Sequence, residues 1–252
     1  MSRITSRGAT GPVALVANGT FQTSTDSSLA TLVGTRWDLS DGREVILVSS
    51  SSATTVAPGK LYQDAAIVPN HQDLTVTAVQ AYSANGNTPA KITVTLGATA
   101  ATANQYQGGF LIVNDNNGEG QTLRIASHPA ADLSASLAVT LEDGPVTALT
   151  TASQVCLLSA HGKDVIINPT TPTGATVGAS LYAFAASTYG FLVTKGVTAV
   201  LNADAALTVG SAVSASNATA GGVENGVIAQ GFVGTAVQTG VDTEYRAVFV
   251  NV

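Results

Sequence analysis

"VGTRWDLSDGREVILVSS", residues Val33–Ser50, is the stretch that decides the fold. Two β-rich runs within it, Val33–Leu39 and Arg43–Val48, flank the tripeptide Ser40–Gly42. Its Asp-Gly pair is typical of a β-hairpin turn, because glycine accepts the positive φ that such a turn demands. The pattern therefore predicts two antiparallel strands, with Trp37, the only tryptophan of the chain, packed in a core or an interface.

The same β signature continues along the rest of the chain. Apolar residues alternate strictly in Asp73–Gln80 and Ala90–Ala98, and a period of two indicates half-buried antiparallel strands. Short strands closed by Gly or Asn recur through the last third, and no segment predicts a helix of three turns. We expect an all-β protein built from antiparallel β-sandwich or small β-barrel modules, with an extended N-terminal arm.

Changes in composition divide the chain into three parts. Residues 1–30 are polar with little periodicity, and they predict the extended arm. A linker rich in Pro, Thr and Gly at residues 169–176 separates two β-rich segments. We therefore expect a β-rich domain over residues 31–170 and a C-terminal β-barrel-like domain over residues 171–252.

The composition indicates a chain whose surface is largely covered by other subunits. Charged residues make up 10% of the 252 positions, whereas an ordinary soluble domain has roughly 25%. A neutral surface rich in Ser and Thr is an alternative that is compatible with such cover. The net charge is -6 and the ten basic residues are scattered, so no footprint for nucleic acid is predicted.

The sequence predicts neither an export signal nor a membrane span. The apolar patch "VALVA", Val13–Ala17, has five residues, and a signal peptide needs about 7–15. Apolar runs elsewhere fall far short of the roughly 18 residues that span a bilayer. We expect a protein that is made in the cytoplasm, that stays there or leaves it inside an assembled particle, and that has no membrane partner.

The acidic loop "NDNNGEG", Asn114–Gly120, raises the question of a metal site. Asp115, Asn117 and Glu119 alternate as calcium ligands do, but Gly118 stands at the fourth position from Asp115 and the flanks are β. A helix–loop–helix calcium loop needs its glycine at the sixth position and helices on both sides. We favour a tight turn, with weak adventitious cation binding left open.

The remaining reactive side chains form no recognisable centre. His71, His128 and His161 lie far apart in the sequence, and zinc sites usually contain at least one close pair of ligands. Cys156, the single cysteine, lies in the apolar run "SQVCLL" and is interpreted as a buried small hydrophobe. No nucleophile elbow and no pair of catalytic carboxylates is recognisable. We expect no catalytic, cofactor-binding or metal-binding residues, and no enzyme.

Several stretches together resemble tailed-bacteriophage virion proteins, particularly capsid decoration (cement) proteins. They span most of residues 33–252, and they are "GTRWDLSDGREVILV" with "PGKLYQ", "YQGGFLIVNDNNGEGQTLRIASHPA" with "LTTASQVCLL", and "YGFLVTKGVTAVLNADAALTVGSAV" through "RAVFVNV". The resemblance implies small β-barrel modules without catalytic residues. It also implies a homotrimer on the outer surface of an icosahedral head, bound to the major capsid protein.

Two other classes of protein remain as alternatives. A head-fibre or tail-associated β-structural protein would contact the host surface and would show exposed aromatic residues clustered at a tip. A polysaccharide depolymerase would need paired carboxylates in a groove. Copy number separates a capsid decoration protein from a fibre, since a head protein is present in hundreds of copies per particle and a fibre in far fewer.

The turn interpretation of Asn114–Gly120 predicts a fold that does not depend on metal. EDTA should leave the melting temperature unchanged, because no ligand set would be emptied, and Asp115→Ala should still fold. Thermal unfolding followed by circular dichroism, with and without chelator, measures both. A substantial drop in melting temperature on chelation would establish a structural cation.

Overall fold

A computed structural model describes residues 4–6, 16–17, 20–21, 23–80 and 90–252. Strands account for 44% of the structure and helices for 5%, and the sheets are antiparallel. The predicted all-β fold class is therefore confirmed. The chain forms two compact units, which are described separately: unit 1 comprises Met1–Ala66 and His161–Val252, and unit 2 comprises Ile67–Ala160.

Unit 2 is a closed antiparallel barrel of six strands. In chain order they are β7 (Leu74–Val79), β8 (Lys91–Thr95), β9 (Phe110–Asp115), β10 (Thr122–Ser127), β11 (Ser136–Leu141) and β12 (Gln154–Leu158). The order around the barrel is β10-β11-β8-β7-β12-β9. Closure pairs every strand on both sides, so the barrel leaves no sheet edge open to another chain.

Alternation along each strand fills the barrel with aliphatic side chains. In β9, Leu111 and Val113 are buried while Phe110 is partly exposed, as a period of two requires. Ile125 and Leu157 from neighbouring strands are fully enclosed in the same core. The interior of unit 2 is thus a packed core of Leu, Ile and Val.

Unit 1 contains one mixed-length sheet of eleven strands among the described residues. They are β1 (Ile4–Ser6), β4 (Arg36–Leu39), β5 (Glu44–Ser49), β6 (Leu61–Gln63), β13 (Ile166–Ile167), β14 (Thr176–Ser180), β15 (Tyr189–Leu201), β16 (Ala212–Ala215), β17 (Val223–Asn225), β18 (Phe232–Ala236) and β19 (Tyr245–Asn251). The main path runs β1-β4-β5-β15-β19-β18-β16-β17, and β6 pairs with β13 and β14. A separate pair joins β2 (Val16–Ala17) to β3 (Thr20–Phe21).

The opening hairpin of the sequence is β4 and β5. Trp37 pairs with Val45 across the two strands, and Gly42 takes φ 84° in the turn, as the Asp-Gly pair predicts. Trp37 is 1% exposed and meets Phe191 edge-to-face with ring centroids 5.4 Å apart. The predicted hairpin and the core position of Trp37 are both observed.

The boundaries of the two compact units lie after Ala66 and after Ala160, not in the predicted linker at residues 169–176. Residues 171–252 do not form a barrel module, because β14 pairs with β6 and β15 pairs with β5, both from before residue 66. The barrel instead occupies Ile67–Ala160. Long-range pairing therefore inserts the barrel into unit 1, where local composition predicted sequential domains.

Half of the expected N-terminal arm, residues 1–30, lies outside the described residues. In its described part, β1 pairs with β4 at the edge of the unit 1 sheet. A 3-10 helix spans Ser27–Leu32, and the carboxylate of Asp26 accepts a hydrogen bond from the Ser28 amide at its start. This last segment is helical rather than extended.

Close packing of β18 on β19 depends on Gly234. A Cβ at this position would overlap the carbonyl oxygen of Phe249, so Gly234→Ala should destabilise unit 1 by about 1–3 kcal/mol through overpacking. Gly226→Ala is the matched control, since its nearest neighbour is the Ala212 oxygen at 3.2 Å. Urea unfolding of both variants measures the difference, and equal stability would show that β19 moves aside without cost.

Candidate interaction surface

Two of the three histidines meet around one buried tyrosine in unit 2. His71 Nε2 lies 2.9 Å from the Thr99 carbonyl oxygen, and His71 Nδ1 contacts the Tyr106 hydroxyl. His128 Nε2 accepts the Tyr106 backbone N–H at 3.0 Å, and His128 Nδ1 lies 2.8 Å from the Pro129 carbonyl oxygen. A carbonyl only accepts, so His71 donates from Nε2 and His128 from Nδ1. Both rings are structural cross-links of the barrel.

His161 belongs to unit 1 and pairs with a carboxylate. Its Nδ1 lies 2.8 Å from Asp64 Oδ2, and Asp64 Oδ1 accepts the backbone N–H of Gly162 at 2.8 Å. The two contacts tie the segment after β6 to the segment that returns from unit 2. The pairing anchors the chain where it re-enters unit 1.

The Asn114–Gly120 loop is the turn of the β9–β10 hairpin. Asn116 takes φ 63° and Gly118 takes φ 85°, the left-handed conformations that Asn and Gly tolerate best. Asp115 Oδ1 accepts the Asn116 backbone N–H at 2.9 Å, so this carboxylate closes the turn. Across the residues that the structure describes, no group of three or more His, Cys, Asp or Glu side chains is arranged to hold a metal ion.

Cys156 is half-buried, so its predicted burial as a core residue is wrong. It lies on β12, where Val155 and Leu157 point into the barrel and alternation turns Cys156 outward. Burial against the strand and the neighbouring Asp73 carboxylate raise the pKa of the Cys156 thiol. A raised pKa disfavours the nucleophilic thiolate, so the thiol is a poor catalytic group.

One face of the unit 1 sheet exposes apolar side chains where a solvated sheet face would carry polar ones. Val197 on β15 pairs with Phe249 on β19, and Phe249 pairs with Thr235 on β18, so the three side chains share one face. Val197 is 47% exposed, Phe249 40% and Tyr245, on the same side of β19, 49%. We call this set, together with Ala199 and Ala247, the outer sheet face. Because these exposed apolar side chains are neighbours across the strands, the outer sheet face is a candidate interaction site.

A groove of about 690 Å³ lies at one end of the outer sheet face. Val197 and Ala199 contribute apolar side chains to its lining, and Tyr245, Arg43 and Arg246 border it. The Tyr245 ring packs against Gly59, where an added Cβ would lie 2.6 Å from the ring carbons. Glycine at this position keeps the ring close to the β-turn backbone. We call this feature the Tyr245 groove.

The Tyr245 groove is bordered by two arginines whose charges are offset by carboxylates next to them in the sequence. Among the described residues that line it, two are arginines and none is a carboxylate. Arg43 pairs with Asp41 at 2.6 Å, and Arg246 pairs with Glu244. The Nε atom of Arg246 is nevertheless buried without a hydrogen-bond partner among the described residues. The atom is enclosed by surrounding protein, so it is not open to an incoming partner.

No family model matches the chain. No curated protein and no solved structure is significantly similar to it either. In the described ranges, no helix is long and apolar enough to cross a bilayer.

Sequence reasoning missed the outer sheet face, although one signal for it exists. In β19 the inward residues Val248 and Val250 alternate with Tyr245, Ala247 and Phe249. A strand with one solvated face alternates apolar with polar residues, whereas a strand covered on both faces is apolar throughout. The final strand is apolar on both faces, and this pattern predicts that each face packs against other protein.

A buried tyrosine, Tyr106, and a half-buried one, Tyr182, predict a loss of stability at high pH. Burial raises the pKa of Tyr106 in unit 2 and of Tyr182 in unit 1 from 10.0 to about 12 in each case. The folded state therefore holds these protons more tightly, and the stabilisation is complete below pH 10 and lost as the pH rises towards about 12. Urea unfolding across this window should give a free energy of unfolding that falls with pH.

Single substitutions test the assignment to these hydroxyls. Tyr106→Phe and Tyr182→Phe should each reduce the slope of stability against pH, whatever they do to stability at neutral pH. Tyr245→Phe, at a half-exposed ring, is the control. If neither Tyr106→Phe nor Tyr182→Phe changed the slope of stability against pH, the alkaline transition would belong to other groups.

Proposed function

We propose that this chain is a structural virion protein, a capsid decoration or cement protein that binds the outside of a phage head and stabilises it. The observation that carries the proposal is the apolar outer sheet face on a chain with 10% charged residues. Such a chain has little charge with which to solvate a free surface, and its apolar face needs cover. The sequence resemblance to capsid decoration proteins supplies the setting.

The proposed partners are the major capsid protein and further copies of the chain as a homotrimer. A shell-binding protein acts through cumulative contact area, and specific interfaces bury roughly 1,200–2,000 Å² each. Small neutral side chains allow close approach between subunits. The location proposed is the outer surface of the virion capsid, after synthesis in the host cytoplasm, with no role for nucleic acid or membrane.

The proposed role is mechanical rather than enzymatic. Buried histidines cross-link the barrel through Tyr106, and the half-buried Cys156 has a raised thiol pKa. These side chains support rigidity, not turnover. Internal cross-links of this kind suit a cement protein, because flexible segments would lose conformational entropy at every contact they make.

A head-fibre or tail-associated protein that contacts the host surface is the second candidate. Exposed aromatic residues favour it: Phe232 is 58% exposed on β18, and Tyr245 and Phe249 are exposed on β19. Aromatic residues are enriched in interaction surfaces of every kind, so they fit either function. Counting copies in purified particles, by band intensity against the major capsid protein, separates the two.

Stabilisation of the head should follow mass action, because a ligand that binds only the intact shell raises its stability with occupancy. Heads stripped of this protein should rupture at lower temperature or weaker osmotic shock than decorated heads. Adding back the purified chain should restore the threshold in a saturable way. DNA release measured by dye fluorescence during heating reports rupture, and equal thresholds with and without the protein would reject the cement role.

A further inference from the structure

Two Asn-Gly pairs lie within the described residues, Asn117–Gly118 in unit 2 and Asn225–Gly226 in unit 1, and two more, Asn18–Gly19 and Asn85–Gly86, lie outside them. In such a pair the asparagine side-chain amide can react with the backbone nitrogen that follows it. Glycine favours this reaction, because it has no Cβ to hinder the nitrogen and its dihedral angles are the least restricted. Hydrogen bonds to the reacting groups then decide whether a given pair reacts.

The reacting groups of Asn117–Gly118 lie in the turn between β9 and β10. The Glu119 backbone N–H donates to the Asn116 carbonyl at 3.0 Å, which places Asn117 and Gly118 at the centre of a four-residue turn. Asn117 is exposed. Within the described part of the chain, neither its side-chain amide nor the Gly118 backbone N–H makes a hydrogen bond.

The same two groups are tied down at Asn225 and Gly226. Asn225 Nδ2 donates to Asp204 Oδ2 at 2.7 Å and to a backbone carbonyl at 2.9 Å. Its Oδ1 accepts two further hydrogen bonds, from a backbone N–H and from a hydroxyl group. The Gly226 backbone N–H donates to the Ala212 carbonyl at 2.8 Å. Attack by the Gly226 nitrogen would have to break this set of bonds first.

We infer that Asn117 is a site of spontaneous deamidation and that Asn225 is protected from it. The Gly118 nitrogen loses its proton to solvent and attacks Cγ of Asn117. The new N–Cγ bond closes a cyclic succinimide, and the Cγ–Nδ2 bond breaks with a proton from water, so that ammonia leaves. A water molecule then opens the ring at either carbonyl and leaves aspartate or isoaspartate at position 117.

Deamidation changes the charge of the β9–β10 turn. Asp115 and Glu119 already expose carboxylates on either side of Asn117, and the reaction adds a third where the chain had a neutral amide. Isoaspartate also lengthens the main chain by one methylene group inside the turn. Older molecules therefore differ from newly made ones in charge and in turn geometry at this end of the barrel.

The hydrogen bonds of Asn225 set the expected difference in rate. A tenfold difference corresponds to about 1.4 kcal/mol of activation free energy, which is of the order of the net contribution of one hydrogen bond. Several bonds, one of them to a carboxylate, hold Asn225 and the Gly226 nitrogen. Asn225 should therefore deamidate at least about tenfold more slowly than Asn117.

One contact restrains the backbone of the reactive pair. Ser153 Oγ donates to the Asn117 carbonyl oxygen at 2.7 Å, and Ser153 is fully buried. The trans peptide plane directs the Gly118 N–H to the side opposite that carbonyl. Ring closure requires rotation about the Cα–C bond of Asn117, which moves the carbonyl away from Ser153. This hydroxyl group therefore slows the reaction.

Rates in the folded and the unfolded protein test the assignment without any substitution. The full-length protein is aged at mildly alkaline pH, and mass spectrometry follows the acidic forms of its tryptic peptides. Trypsin separates the four Asn-Gly pairs, because a lysine or arginine lies between each pair and the next. In the folded protein Asn117 should convert at least about tenfold faster than Asn225, and in urea the two rates should converge. Equal rates in the folded protein, or faster conversion of Asn225, would overturn the inference.

Substitutions test the role of the hydrogen bonds. Asp204→Ala should accelerate conversion of Asn225 and leave Asn117 unchanged, because it removes a bond from the protected pair alone. Ser153→Ala should accelerate conversion of Asn117 and leave Asn225 unchanged. Circular dichroism melts confirm that each variant is folded at the temperature of the experiment. Unchanged rates in both folded variants would overturn the explanation by hydrogen bonds.

Two substitutions at position 117 identify the product. Asn117→Asp should co-migrate on isoelectric focusing with the acidic form that accumulates in the aged parental protein. Asn117→Ser, which lacks the reacting amide, should accumulate less of that form, and its tryptic peptide should show no conversion at position 117. Fragmentation of the peptide distinguishes this position from Asn114 and Asn116. Conversion at either of those residues in place of Asn117 would overturn the inference.

Discussion

One long strand, β15, organises unit 1. Its first half pairs with β5 and its second half with β19, so a single 13-residue segment joins the opening hairpin to the closing strands. A bulge between Val193 and Lys195 marks the change of partner, and bulges bend a strand and increase its twist. Gly196 follows at φ 111°, where a Cβ would collide with Arg43. Lys195, between the bulge and this glycine, pairs with both Glu44 of β5 and Asn251 of β19.

The two units meet the problem of exposed strand edges differently. The barrel of unit 2 closes on itself and pairs all six strands. The sheet of unit 1 stays open, with the three-residue strands β1 and β17 at the ends of its main path. Short edge strands offer little to an incoming chain. The exposed apolar side chains Val197, Tyr245 and Phe249 lie on the face of the unit 1 sheet rather than at these edges.

Local patterns in the sequence predicted strands and turns correctly. The Asp-Gly turn after Leu39, the alternation in β7 and β8 and the Asn-Gly-rich turn before β10 depend on neighbours in sequence, where propensity and period are informative. The discontinuous unit was missed because β5 pairs with β15 across about 140 residues, and no local pattern encodes a partner at that distance.

The candidate surface was harder to predict for the same reason. The Tyr245 groove joins Arg43, Gly59, Val197 and Tyr245, which are brought together only by the sheet. The histidines gave no sign that Tyr106 links two of them. Cys156 was assigned to the core because its run is apolar, although the period of two places every second residue of that run outward. Only β19, which is apolar on both faces, gave a local signal of the outer sheet face.

Insertion of the barrel between Ala66 and His161 has a consequence for synthesis. During translation the first strands of unit 1 emerge before the barrel and must wait for β15 behind it, with apolar surface uncovered. All six barrel strands emerge consecutively and have their partners at once, so this unit can fold while the ribosome is still producing the rest. A folded insert also replaces flexible chain in the loop that β5 and β15 must close, which lowers the entropic cost of that late pairing. The order in which the ribosome releases the segments thus favours folding of the inserted barrel before the sheet of unit 1 is complete.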